Sequence, residues 1–91
     1  MPDRNRTVSV KETWYVYIVQ CADDSLYTGV AKDVEMRVSQ HNAGKGAKYT
    51  RARLPVRLVH REPVADRGSA LRREYEIKGM TRERKRQLVA G

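Results

Sequence analysis

A chain of 91 residues is long enough for one domain with a small core and too short for two. It has no apolar run near the roughly 18 residues of a membrane span and no signal-peptide apolar region in Met1 to Lys11; its one cysteine, Cys21, excludes an internal disulfide and fits a reducing cytoplasm. The net charge of +8 favours a polyanionic partner, nucleic acid first.

Residues 1–12 read as a flexible arm ahead of a single domain over 13–91. Thr13 to Cys21, rich in aromatic and β-branched residues, predicts a strand. Tyr15, Tyr17 and Val19 share one face of it and Trp14, Val16 and Ile18 the other. Both faces are apolar, so the strand should be central and covered on both sides. Ala22-Asp23-Asp24-Ser25 is a turn into a second strand, Leu26 to Ala31. A three-residue loop, Ala22 to Asp24, would pair Val19 with Tyr27 and bring Tyr17 and Tyr27 to one face; a two-residue Asp23-Asp24 turn would separate them.

Asp33 suits a helix N-cap, with Glu35 favourable in the first turn. The helix should run from Val34 to about Asn42 and stop in Asn42-Ala43-Gly44. Val34, Val38 and His41 fall on one arc, with Arg37 at its edge. Gly44 to Arg51 reads as a flexible basic loop. A third strand is expected over Val56 to Arg61, closed by Pro63, with Val56, Leu58 and His60 on one side. Asp66 or Ser69 should cap a second helix running to Lys78, and Thr81 a third through Val89. The order β-β-α-β-α-α predicts an α+β fold, a small three-stranded antiparallel sheet flanked by about three helices.

Between Met36 and Arg61 there is no acidic residue, and Arg37, Lys45, Lys48, Arg51, Arg53, Arg57 and Arg61 lie within that span. A solvated surface usually interleaves both signs, so the run suggests a phosphate-facing surface. Tyr49 among Lys45, Lys48, Arg51 and Arg53 could stack an unpaired base beside a phosphate track. The plainer alternative is a generally basic small protein.

Arg37 and His41, spaced i, i+4, are neighbours on a helix face. They could be a phosphate clamp beside a base or proton relay, though spacing alone favours an ordinary pair at the rim of the core. Tyr17 and Tyr27, taken singly, read as core aromatics. On the second helix Glu74 projects between Ala70 and Leu71, in the middle of the arc expected to be buried. A lone carboxylate there is costly unless paired or bound to a cation. A hard divalent metal and a buried ion pair, for instance with Arg37, stand level. His60 reads as a packed histidine.

Together these pieces resemble the GIY-YIG nuclease domain. Tyr15-Val16-Tyr17 stands at its first triplet and Tyr27-Thr28-Gly29 at its second. The helix carrying Arg37 and His41 and the segment Ala70 to Lys78 with Glu74 follow in the family's order. The likeness spans about residues 13–90 and is greatest to small stand-alone bacterial (UPF0213-like) members, through His41-Asn42-Ala43-Gly44-Lys45-Gly46-Ala47. It implies a metal-dependent DNA endonuclease of repair, recombination or DNA-uptake processing. Tyr27 and His41 would activate water or relay its proton, Arg37 would hold the scissile phosphate, Glu74 would bind one Mg²⁺ or Mn²⁺, and Tyr17 would order the site. The first triplet lacks the family glycine, and Arg82 to Gln87 lacks the asparagine often found there, which leaves one site contact unassigned. With no attached duplex-reading domain, single-stranded or branched DNA is favoured over plain duplex, and RNA stays open. The competing expectations are a non-catalytic nucleic-acid-binding module and an interaction module that delivers a partner to a nuclease.

Overall fold

The computed structural model describes residues 13–91; the expected arm over 1–12 lies outside the described residues. Three antiparallel strands, β1 (Trp14–Gln20), β2 (Leu26–Ala31) and β3 (Arg57–Val64), form a sheet in the order β2-β1-β3. The helices are α1 (Val34–Asn42), the single turn α2 (Lys48–Arg51), α3 (Arg67–Lys78) and α4 (Arg82–Ala90).

The apolar pattern of β1 makes it central. Val16, Tyr17, Ile18 and Val19 are all buried, so successive residues feed opposite cores. On one face Tyr17, Val19, Cys21, Val34 and Val56 pack with Tyr15, Tyr27, Val38, Leu54 and Leu58, under α1. On the other Val16, Ile18, Ala70 and Ile77 pack with Trp14, Leu26, Val30, Leu88 and Val89, under α3 and α4.

The hairpin closes through the three-residue loop. Cys21 N–H donates to Ser25 O at 2.8 Å, and Asp24 takes the left-handed conformation (φ 70°) that Asp tolerates. Val19 therefore pairs with Tyr27 and Tyr17 with Gly29, which puts both tyrosines on the α1 face.

Caps set the helix starts as expected: Asp33 accepts from Met36 N–H, Asp66 rather than Ser69 caps α3 by accepting from Ser69 N–H, and Thr81 accepts from Arg84 N–H.

β3 departs from expectation twice. It continues through Pro63 to Val64, because β3 is an edge strand where a missing N–H costs no ladder bond. A register shift between Ile18 and Val19 leaves Val59 outside the pairing. Leu58 stays on the α1 face while His60 pairs with Ile18 and turns to the other face. There His60 hydrogen-bonds Glu62 (2.8 Å), and Arg73 of α3 donates to both oxygens of Glu62 (2.8 and 3.0 Å) and to Glu76 (2.5 Å). The Arg73 guanidinium, and secondarily His60, hold the Glu62 carboxyl below the usual carboxylate range.

Candidate active site

The site forms where β1, β2 and α1 meet. A hydroxyl on the central strand faces an imidazole on the last turn of α1. Tyr17 Oη lies 2.8 Å from His41 Nε2, and His41 Nδ1 lies 2.9 Å from Thr50 Oγ1. Thr50 commits its proton to the Ala47 carbonyl (2.9 Å). The Thr50 oxygen therefore accepts, His41 donates from Nδ1, and Tyr17 donates to the bare Nε2. Tyr17, His41 and Thr50 are buried, and this one assignment satisfies each of them.

Electrostatics favour the same state. Burial, and then the charge of Arg37, push the His41 imidazole below its ordinary range. Burial pushes the Tyr17 hydroxyl up, which Arg37 beside it only partly offsets. Each change holds the neutral form.

Two glycines make room. A Cβ at Gly29 would stand 2.5 Å from Tyr17 Oη and 2.7 Å from its ring carbon Cζ. One at Gly46 would run into the His41 ring. The glycine of Tyr27-Thr28-Gly29 thus lets the Tyr17 ring cross β2 towards His41, and Gly46 lets the loop close over the imidazole.

Tyr27 is half-buried and meets His41 edge-on at 5.4 Å between ring centroids. Arg37, half-buried on α1, hydrogen-bonds Gln40 (3.1 Å).

Glu74 sits at the edge of the α3 core arc rather than in its middle. Ala70 and Ile77 define that arc, and Leu71 is only half-buried, so the buried direction lies further from Glu74 than an arc including Leu71 would put it. Glu74 Oε2 pairs with Lys78 Nζ at 3.3 Å and not with Arg37. The Lys78 ammonium is 5.8 Å from the Tyr27 ring centroid, so α3 reaches the tyrosine face around the β2 edge. Tyr17 feels the Glu74 charge in the same place.

The basic loop is folded onto the site. Tyr49 stacks on Tyr27 with centroids 6.1 Å apart, and the Arg53 guanidinium lies 3.9 Å from the Tyr49 centroid. Arg53 also binds Asp23 (3.1 Å) and the Tyr49 carbonyl (2.8 Å). Tyr49 and Arg53 are therefore engaged by the protein, whereas Lys45, Lys48 and Arg51 are exposed with no acidic partner among the described residues. The side chain of Asn42 clasps Val56, donating to its carbonyl (2.9 Å) and accepting from its N–H (2.7 Å), and so closes the loop at its base.

The structure brings Tyr17, Tyr27, Arg37, His41 and Glu74 to one region. Sequence reasoning did not reach Thr50, Gly46 or Lys78. A threonine between basic residues reads as solvated, and a lysine in a last helical turn reads as a partner of the helix dipole.

Among the described residues no group of three or more His, Cys, Asp or Glu side chains could hold a metal. A single carboxylate, with water and substrate phosphate completing the shell, still fits the habits of Mg²⁺. Glu74 meets that requirement: its side chain keeps 20% exposure, and Oε1 has no ion-pair partner among the described residues.

A protein-family model described as the GIY-YIG catalytic domain matches residues 13–87. A UPF0213 protein of Haloquadratum walsbyi is 65% identical over 75 residues, covering 82% of this chain and 84% of that one. A UPF0213 protein of Staphylococcus aureus is 55% identical over 78 residues, covering 86% and 95%. The solution NMR structure of a UPF0213 protein from Bacillus halodurans aligns with a TM-score of 0.56 at 49% identity, over 86% of this chain and 83% of that one. A second solution structure, of a protein from E. faecalis, gives a TM-score of 0.58 at 39% identity over 85% and 82%.

Proposed function

Because the chain belongs to the GIY-YIG catalytic-domain family, we propose that it is a metal-dependent DNA endonuclease that hydrolyses phosphodiester bonds, on single-stranded or branched DNA before plain duplex. The observation that carries this reading is the convergence of Tyr17, His41, Tyr27 and Arg37 on one side of the sheet, with Glu74 reaching them around its edge. A structural core has no need of that set.

The chain's own groups divide the work. Arg37 holds the scissile phosphate and offsets the charge that builds on it in the transition state. Of the two tyrosines Tyr27 is the one open to solvent, and its hydroxyl positions the attacking water and takes part in moving its proton. Tyr17 and His41, neutral and locked by Thr50, form the wall behind it. His41 has both ring nitrogens occupied, so any proton it receives comes through the Tyr17 hydroxyl. Glu74 is the residue to hold a divalent cation, whose chemistry when bound is Lewis-acid stabilisation of the leaving oxygen.

A second reading is favoured by one contact. Lys78 already neutralises Glu74, as it would in a binding module with no use for a metal. Labelled single-stranded, duplex and branched DNA, each with and without Mn²⁺, separates the two. Cleavage by the parent protein in Mn²⁺ alone is expected, with Glu74→Gln slower by orders of magnitude yet binding DNA as before. The Glu74–Lys78 pair is an i, i+4 pair worth about 0.3–0.5 kcal/mol, so the variant should melt close to the parent. Cleavage that ignores chelator, or DNA binding with no cleavage of any substrate, would remove the metal-dependent nuclease.

A further inference from the structure

Resting on the reading of this chain as a protein that acts on nucleic acid, we propose that Lys78 of α3 is a further substrate-binding residue of the site. Its ammonium bridges Glu74 and a phosphate oxygen of the bound strand.

Lys78 touches two members of the site. Its Nζ lies 3.3 Å from Glu74 Oε2 and 5.8 Å from the centroid of the Tyr27 ring. An ordinary i, i+4 pair on a helix surface accounts for the first contact and not for the second. The second brings the lysine past the β2 edge onto the ring that also meets His41 and Tyr49.

The ammonium has donors to spare. It carries three N–H groups and no acceptor. Among the described residues its one acidic partner is Glu74, and the Tyr27 ring attracts it through charge alone at this distance. The Lys78 side chain is 51% exposed against 20% for Glu74. Of the pair it is therefore the lysine that an incoming strand meets first.

Charge gives the strand a need for it. A phosphate drawn towards Tyr27 by Arg37 also nears the Glu74 carboxylate, whose charge reaches as far as Tyr17. Two anions so close repel each other unless a cation stands between them. Lys78 stands there in the protein without metal. Arg37 comes from α1 and Lys78 from α3, which pack on opposite faces of the sheet, so a phosphate beside Tyr27 is held from both sides.

Binding of a short labelled oligothymidylate, titrated in chelator between about 50 and 200 mM salt, tests this. Lys78→Gln is made in the parent and again in Glu74→Gln. Lys78 belongs to neither core, so its variants keep the fold. A lysine that holds a phosphate releases counterion in either background. The slope of log affinity against log salt should therefore flatten by about 0.7 in both. The advantage of Lys78 over glutamine should shrink by about 2.6-fold across that salt range. Lys78→Arg keeps the charge and should keep the parent slope. A lysine that only neutralises Glu74 has no task once that carboxylate is gone. An unchanged slope for Lys78→Gln in the Glu74→Gln background overturns the proposal, and so does a flattened slope in Lys78→Arg. No metal is present, so these results do not depend on cleavage. A protein that binds through Lys78 and cuts no substrate in Mn²⁺ loses the nuclease reading alone, while one that cuts in Mn²⁺ with a slope indifferent to Lys78 loses this residue alone.

Discussion

At the scale of single residues the site rests on one buried hydroxyl. Thr50→Val removes the acceptor for His41 Nδ1–H and keeps the shape. A stranded buried donor costs about 1–3 kcal/mol, so the variant should melt several degrees lower, lose the Nδ1–H signature in ¹⁵N NMR, and cleave more slowly. Thr50→Ser should restore all three. The same imidazole sets an acid limit. An unfolded chain takes up the His41 proton near 6.5, and the folded chain only at lower pH. In that interval the unfolded state holds more protons, so stability falls as pH falls below about 6.5 and is complete above it. An NMR titration placing the His41 pKa at or above 6.5 would contradict this. Gly29→Ala forces the buried Tyr17 ring away from His41. A loss of about 1–3 kcal/mol in chemical denaturation, with slower cleavage, is expected; a parent-like midpoint would mean the ring yields freely. Thr50 was hidden from sequence reasoning because its polarity suits a loop, and only its contact with a residue of α1 makes it a core residue.

At the scale of elements, α3 must be held so that Ala70 and Ile77 face the core while Glu74 and Lys78 reach the β2 edge. Arg73 does this from the opposite flank by gripping both oxygens of Glu62. Arg73→Ala leaves the Glu62 carboxylate, 24% exposed, with only His60. A loss of about 1–2 kcal/mol is expected, or roughly 4–8 °C per kcal/mol for a domain of this size. Cleavage should fall with it, since α3 also carries Glu74; a fall in melting temperature with full activity would show that α3 needs no such anchor. The hairpin register was legible only in part: alternation left a three-residue and a two-residue loop open, and the fold has the three-residue one, which brings Tyr17 and Tyr27 to one face. The bulge at Val59 was not, because apolar residues on either face satisfy the same pattern. Pro63 looked like a strand end because its position on an edge strand depends on β3 pairing, among the described residues, with β1 alone, which no local signal records.

At the scale of the molecule the acids decide which cations are free. Asp23, Glu35, Glu62 and Glu74 each hold one, so a uniform excess in composition becomes separate uncompensated patches on the folded surface. Lys48 and Arg51 belong to one such patch. Replacing both by alanine should flatten the salt dependence of DNA binding by about 1.4–1.8 without moving the melting temperature. An unchanged slope would place the phosphate contacts elsewhere. The fold was legible from apolar alternation and helix caps, and the site residues from a motif order that folding brings together. The pairing of charges was hidden, because partners such as Arg53 and Asp23 lie 30 positions apart.

The clasp between Asn42 and Val56 has a consequence for how such a protein can change. A side-chain amide standing in for a strand neighbour closes the segment between α1 and β3 at its base. Inside that closure Thr50 and Gly46 serve the histidine, while Lys45, Lys48 and Arg51 point outward and serve nothing in the core. The outward positions are thus free to drift under selection for a new target while the inward ones are held, so preference for a ligand and integrity of the fold can evolve on separate residues of one loop.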